Sequence, residues 1–209
     1  MKIDLHVHVR KVSNCAKETP EAMAKQALEK GLDGIVILDH NYQVSREECD
    51  QIEKAVPGIR VFGGIELGVF DEHVVIIPTE TIDFAPEYRR YMDDVKFLKD
   101  WVDRTGSLAI LAHPYRYHTS ITFDMNIFTP HAVEVAGRHV RKSDRMQIRE
   151  LAKKYDMGMV SVSDAHKTRQ LGGYCVNTYY DIDNEKELIS CVKRGNYSLM
   201  ESRLESINL

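Results

Sequence analysis

The chain has 209 residues, a formal net charge of −4 and 43% hydrophobic residues, which suits one domain, taken here as residues 1–209, with a real core to bury. That charge supplies no basic stripe, which argues against a duplex gripped through its phosphates, although a small anionic substrate stays open. Four scattered cysteines (Cys15, Cys49, Cys175, Cys191) form no Cys-x-x-Cys pair, Asp4 and His6 interrupt any apolar leader, and no apolar run reaches bilayer length, so a cytoplasmic protein with reduced thiols and no membrane contact is expected.

Strand-like and helix-like segments alternate along the chain. Ile3 to His6 reads as the first strand. Thr19-Pro20 reads as an N-cap with proline at the first helical position, opening a helix over Glu21 to Lys30 that stops at Gly31. Ile35 to Leu38 is a continuous aliphatic run, as in a buried strand. Ser45-Arg46-Glu47-Glu48 has the spacing of a capping box, and its helix ends before Pro57-Gly58. Arg60 to Glu66 reads as a strand that Val74 to Ile77 can pair with. Pro86 to Thr105 reads as a long helix ending at Gly106, with Tyr88, Tyr91, Phe97 and Trp101 packing it down. Strands follow at Leu108 to Ala112 and Ala132 to Val135, then a helix over Ser143 to Asp156. A strand over Met159 to Val162, another over Val176 to Tyr179 and a helix over Asn184 to Arg194 complete the pattern. The alternation predicts an α/β fold with parallel strands. Seven or eight of them fit a (β/α) barrel, complete or not, with an open doubly wound sheet as the alternative.

On that map the metal-capable residues cluster at strand ends. Alternate strand residues point to one side, so His6 and His8 can converge on one point. Asp39-His40 ends the second strand and Glu66 the third. His113 follows Ala112, and Asp164 and His166 follow Val162. These are the C-terminal strand ends, where barrels and open α/β sheets carry their sites. Any one such histidine has an ordinary explanation; the set together points to a metal site. His73 precedes a strand and would enter from a loop. His118, His131 and His139 lack the placement and are read as exposed loop or helix-flank histidines, His118 being the nearest in sequence.

The order of these motifs resembles the PHP family, the polymerase and histidinol phosphatase metal-dependent phosphoesterases. The resemblance is carried by Asp4-Leu5-His6-Val7-His8, Gly31-Leu32-Asp33-Gly34 leading into Leu38-Asp39-His40-Asn41, and Gly64-Ile65-Glu66. It continues in Ala112-His113-Pro114-Tyr115-Arg116-Tyr117 and Ser163-Asp164-Ala165-His166. It implies a distorted seven-stranded (β/α)7 barrel holding two or three metals at the C-terminal strand ends. By the same resemblance His6, His8, Glu66 and Asp164 would hold one ion, Glu66 would bridge to a second held by His73 and His113, and His40 and His166 would serve a third. In one respect the chain departs from the family. The loop after His8 reads Arg10-Lys11-Val12-Ser13-Asn14-Cys15, without the acidic or imidazole ligand that many members place there. Cys15 is read as a bystander thiol, with softer-metal binding as the other option.

A mixed N/O donor set suits Mn, Zn or Fe better than Mg or Ca. Clustered divalent ions acidify water and neutralise charge in phosphate ester hydrolysis. Arg116 resembles the substrate-binding arginine of the family's His-Pro-x-Arg motif, and a guanidinium can grip phosphate oxygens. Asp39 and Glu134, also near strand ends, are read as groups that orient imidazole ligands. Lys167 and Arg169 are equally well read as solvated loop charges. The expected function is a metal-dependent phosphoesterase acting on a small phosphorylated metabolite or nucleotide, with a nucleic acid end as a less favoured substrate. Two alternatives stand: an amidohydrolase-type metallohydrolase, and a non-catalytic metal-retaining regulatory domain.

Overall fold

The computed structural model describes residues 1–11, 14–80 and 92–202. Its elements are β1 (Lys2–His8), α1 (Pro20–Glu29), β2 (Gly34–Leu38), α2 (Arg46–Ala55), β3 (Arg60–Gly63), β4 (Ile65–Val69) and β5 (Glu72–Ile77). They continue with α3 (Val95–Thr105), β6 (Leu108–Ala112), β7 (Ala132–Ala136), α4 (Arg145–Lys154), β8 (Gly158–Ser161), β9 (Tyr174–Thr178), α5 (Glu185–Lys193) and β10 (Tyr197–Glu201). The caps read from sequence are present. The Thr19 side chain accepts from Ala22 N–H, and Ser45 and Glu48 satisfy one another's backbone amides. The expected start of the long helix at Pro86, with Tyr88 and Tyr91, lies outside the described residues. Within them α3 is capped by Asp94, whose side chain accepts from Phe97 N–H, and buries Leu98 and Trp101.

The strands form two five-stranded sheets, ordered β10-β9-β1-β2-β3 and β4-β5-β6-β7-β8. No continuous ladder closes them into the expected barrel among the described residues. They meet instead through isolated parallel bridges, His40 with Glu66 and Val7 with Ala165. The all-parallel expectation also fails in part: β4–β5, β5–β6, β9–β1 and β9–β10 are antiparallel. The strand expected over Arg60 to Glu66 breaks at Gly64, where the chain leaves one sheet for the other. A Cβ on Gly64 would lie 2.5 Å from Leu38 Cδ2, and one on Gly63 only 2.1 Å from the Val44 carbonyl oxygen. Only glycine allows so close an approach at that crossing.

Between the sheets lies an apolar interior that includes Ile3, Leu5, Val36, Leu38, Val75 and Ile110. Ile35, Ile37 and Val7 face the other way, beneath α1 and α2. β1 therefore changes parity midway. Its register against β2 advances three residues, from Asp4 to Val7, while β2 advances two, from Ile35 to Ile37. This bulge flips every later side chain to the opposite face. Ile3 and Leu5 fill the interior, and beyond the bulge His6 and His8 take over that same face.

His131, expected to be exposed, is half-buried at the β6–β7 junction. Its Nδ1 accepts from Ala109 N–H at 3.1 Å, and its backbone N–H donates to the Ala109 carbonyl at 2.9 Å. Burial, helped by Lys193, pushes its pKa down to about 4. The folded value lies below the unfolded one of about 6.5. Its contribution to stability is therefore full above pH 6.5 and is lost as pH falls from there toward 4. In denaturant titrations at pH 7 and pH 5, wild type should lose more stability on acidification than His131→Asn, whose amide oxygen can replace Nδ1 as acceptor. Equal losses in the two proteins would show that His131 has no part in the acid sensitivity.

Candidate metal centre

The site forms where the two sheets meet. β1 delivers His6 and His8. The β2 end delivers His40, whose backbone N–H is accepted by its neighbour's carboxylate, Asp39 Oδ1, at 2.7 Å. In this contact Asp39 acts on His40 through the backbone rather than through an imidazole. From the second sheet come Glu66 on β4, His113 just past β6, and Asp164 and His166 past β8. His73, expected to enter from a loop, lies within β5, opposite Gly68 of β4 and Ala112 of β6. Because β5 runs antiparallel, its N-terminal end lies at the face where the parallel strands have their C-terminal ends. That reversal brings His73 to the site.

The donor atoms converge. His6 Nε2 and His8 Nε2 are 3.0 Å apart. Asp164 Oδ1 lies 3.4 Å from the first and 3.3 Å from the second. Glu66 Oε2 lies 3.3 Å from His8 Nε2 and 2.9 Å from His40 Nδ1. Its other oxygen, Oε1, lies 2.9 Å from His73 Nδ1 and 3.4 Å from His113 Nε2. Donors spaced about 3–3.5 Å apart suit ligands each about 2.0–2.2 Å from a shared ion. Two buried oxygens at the centre of this group, Glu66 Oε2 and Asp164 Oδ1, accept no aligned hydrogen bond among the described residues. Buried carboxylate oxygens left in that state are costly unless a cation meets them. The residues fit divalent metal. Three overlapping donor groups can be traced: His6, His8 and Asp164; His40, Glu66 and His73; and His8, Cys15, His40 and His166.

Electrostatics agree with the geometry. Burial alone would raise the Glu66 carboxyl, but the imidazoles of His113, His40, His73 and His8 hold it well below the usual range. Asp164 is likewise held low against burial, chiefly by His6, His139 and His8. Burial disfavours charge on His6, yet Asp164, Glu134 and Glu66 raise its pKa to about 9. His40 rises to about 9 through Cys15 and Glu66. Asp4, fully buried beside His6, is pushed up to about 7 by burial; its Oδ1 accepts from Ser163 N–H at 3.0 Å and joins the β8 end to β1.

Glu134 supports two of these groups at once. Its Oε1 lies 2.6 Å from His6 Nδ1, and its Oε2 accepts from His113 N–H at 2.7 Å. His113 and Asp164 have φ of +26° and +49°, a region that costs non-glycine residues about 1–3 kcal/mol each and recurs at functional sites. The Glu134 contact holds His113 there. On the rim, Arg116 Nη1 reaches to 3.5 Å from Asp164 Oδ2, and its guanidinium stacks 4.9 Å from the Tyr117 ring. Both side chains border a cavity of about 160 Å³ together with His8, Glu66, His113 and Asp164. His118 borders an adjoining hollow with Phe70 and Asp71. Lys167 and Arg169 are exposed.

Two residues read from sequence as bystanders belong to the site. His139 Nδ1 hydrogen-bonds Asp164 Oδ2. It lies three residues past the end of β7, so the strand-end criterion already contained it. Cys15 Sγ lies 3.6 Å from His8 Nδ1 and in one donor group with His40 and His166.

Comparison with known proteins follows the same lines. A Bifidobacterium adolescentis protein assigned as a metal-dependent phosphoesterase shares the fold, with 15% identity, a TM-score of 0.64, and 92% of this chain and 96% of that one covered. An amidohydrolase from Chromobacterium violaceum, with bound sulfate and no metal, has 15% identity and a TM-score of 0.65 over 98% and 100% of the two chains. A lesion-specific endonuclease from Pyrococcus furiosus has 13% identity and a TM-score of 0.57, over 95% of this chain and 57% of that one. At such identities the likeness is one of fold. Among curated proteins, none matches. No helix among the described residues is long and apolar enough to cross a membrane. Residues 4–200, which span every motif from Asp4-x-His6-x-His8 to Asp164-x-His166, match the PHP domain, and the chain belongs to that family.

Proposed function

We propose that this chain is a metal-dependent phosphoesterase, a single cytoplasmic domain that hydrolyses a phosphate ester of a small metabolite or nucleotide. The observation that carries this reading is the pair of unsatisfied buried oxygens, Glu66 Oε2 and Asp164 Oδ1, ringed by imidazoles with a cation, Arg116, on the rim. His6, His8, Glu66 and Asp164 would hold one ion, and Glu66, His73 and His113 a second. His40 and His166 would serve a third. The donor set favours Mn, Zn or Fe. Bound divalent ions supply Lewis acidity toward phosphoryl oxygens and acidify water near neutral pH.

The chain's own groups do the rest. Glu66, with Oε1 beside His73 and His113 and Oε2 beside His8 and His40, would set the separation of the ions. Glu134, on His6 Nδ1, fixes that ring so that Nε2 faces inward. Arg116 is half-buried and beside the carboxylate, placed to turn toward phosphate oxygens and draw off charge that the metals do not meet.

The reading is tested by assaying metal-stripped protein, reloaded separately with Mn, Zn and Fe, against phosphate monoesters, phosphodiesters and amides. Hydrolysis of P–O bonds supports it. Cleavage of C–N bonds alone would favour the amidohydrolase reading, and metal uptake with no hydrolysis would favour a regulatory domain. On the best phosphate ester, Arg116→Ala should lower kcat/KM by about 10²-fold. Arg116→Lys should recover part of that, because an ammonium cannot reproduce the two-pronged grip. If both variants keep wild-type kcat/KM, Arg116 only pairs with Asp164.

A further inference from the structure

We propose that Cys15 is a metal ligand: its thiolate, with the imidazoles of His40 and His166, forms a position of two nitrogens and one sulfur at the outer edge of the cluster that selects zinc-like ions. This deepens the metal-centre reading above and rests on it. The ligand atoms of Cys15, His8, His40 and His166 all lie within 4.8 Å of one another. Beside them is Glu66 Oε2, buried, unsatisfied and 2.9 Å from His40 Nδ1. A sulfur reaching a cation at about 2.3 Å and nitrogens at about 2.0 Å span a group of this size.

His8 separates the inner and outer positions. Its Nε2 is committed inward, 3.0 Å from His6 Nε2 and 3.3 Å from Asp164 Oδ1. With Nε2 ligating, the ring proton resides on Nδ1, which faces Cys15 Sγ at 3.6 Å. His8 therefore donates to the sulfur rather than competing for the outer ion, as partners beyond the ligands commonly do. Cys15, His40 and His166 would then be the three protein ligands of the outer position. On metal binding the Cys15 thiol proton leaves to solvent and the sulfur–metal bond forms, with no change of oxidation state.

The described residues just before Cys15 are tied to the rest of the fold. Arg10 N–H donates to the Glu18 carbonyl at 3.0 Å, and Lys11 Nζ pairs at 2.6 Å with Glu48, the residue that completes the α2 capping box. The other cysteines, Cys49, Cys175 and Cys191, are buried among apolar side chains and, among the described residues, join none of the donor groups. A thiolate where the other donors are nitrogen and oxygen would bias this one position toward Zn or Co over Mn or Mg.

The test uses the whole chain, stripped with chelator and titrated with Co(II). Wild type should show a near-ultraviolet sulfur-to-cobalt charge-transfer band as well as the visible ligand-field bands. Cys15→Ser and Cys15→Ala should lose the former, keep the latter and bind about one fewer ion per chain. X-ray absorption of the Zn-loaded protein should show a sulfur scatterer at about 2.3 Å that Cys15→Ser lacks. Zinc affinity at the outer position should fall by more than the roughly 10–100-fold typical of losing an outer partner. Cobalt uptake with no sulfur band in wild type would overturn the ligand assignment and leave Cys15 as a hydrogen-bond partner of His8. No cobalt uptake at all would instead overturn the metal-centre reading itself.

Discussion

His8→Ala and Asp164→Ala should each lower metal-dependent phosphate ester hydrolysis by about 10³-fold or more, beyond the roughly 10²–10³ that one lost oxyanion donor costs. Both residues lie where donor groups meet. His8 Nε2 is within 3.3 Å of Glu66 Oε2 and Asp164 Oδ1, and its ring stacks on His166 with centroids 4.2 Å apart. Removing it takes a ligand from the inner group and the separator from the outer one. Asp164 meets His6, His8, His139 and Arg116. Its loss leaves a buried cluster of imidazoles and a guanidinium with one fewer anion to oppose them, so destabilisation is expected alongside inactivity. Asp164→Asn separates the two causes of instability, since it keeps the side-chain volume and removes only the charge. Initial rates on phosphate esters, metal content per chain and melting temperature should be read together. Folded Asp164→Asn and His8→Ala proteins that both hydrolyse esters at wild-type rates would mean that the chemistry lies elsewhere.

Most of the candidate ligand set can be read directly from sequence because parallel strands deliver their C-terminal residues to one face, and apolar runs ending in His or Asp mark those ends. His6, His8, His40, His113, Asp164 and His166 follow that rule, whereas Glu66, the second residue of β4, reaches the same face from near a strand's start. Three features do not. The β1 bulge between Asp4 and Val7 changes which face the strand presents, and a periodicity of two cannot register an inserted residue. The antiparallel course of β4, β5 and β6 puts His73 at the site from the wrong end of a strand; the available signal is Gly64, where the chain switches sheets. Cys15 lies on a connecting segment tied to distant partners, through Lys11 to Glu48, that local sequence does not reveal. The same limit explains the sheets. Each strand is recognisable by its aliphatic run, but whether the runs close into one ladder depends on the two seams, and among the described residues each carries one isolated parallel bridge rather than a ladder.

Glu66→Gln should remove more metal than any one-ligand substitution, because Glu66 divides its two oxygens between donor groups. Oε1 faces His73 and His113, and Oε2 faces His8 and His40. An amide has one acceptor oxygen and no charge, so it can meet one ion at most, and that one weakly; loss of between about one and two ions per chain is expected. The effect has a pH signature. Without metal, protons take the place of the ions: His6 and His40 are raised to about 9 by the surrounding carboxylates and Cys15, while Glu66 is held low. A raised folded pKa means that this imidazolium–carboxylate contribution is full below about pH 6.5 and is lost as pH rises through about 9. Metal binding needs neutral imidazoles and displaces the same protons, so it strengthens over that interval. The gap in melting temperature between loaded and stripped wild type should therefore widen from about pH 6.5 to about 9. At a metal concentration of about 100 Kd, one site contributes about 2.7 kcal/mol, or roughly 5–10 °C for a chain of this size. In Glu66→Gln the gap should be small and nearly flat with pH. A variant that keeps its full metal content and the wild-type widening would show that Glu66 accepts hydrogen bonds from these imidazoles without bridging metal.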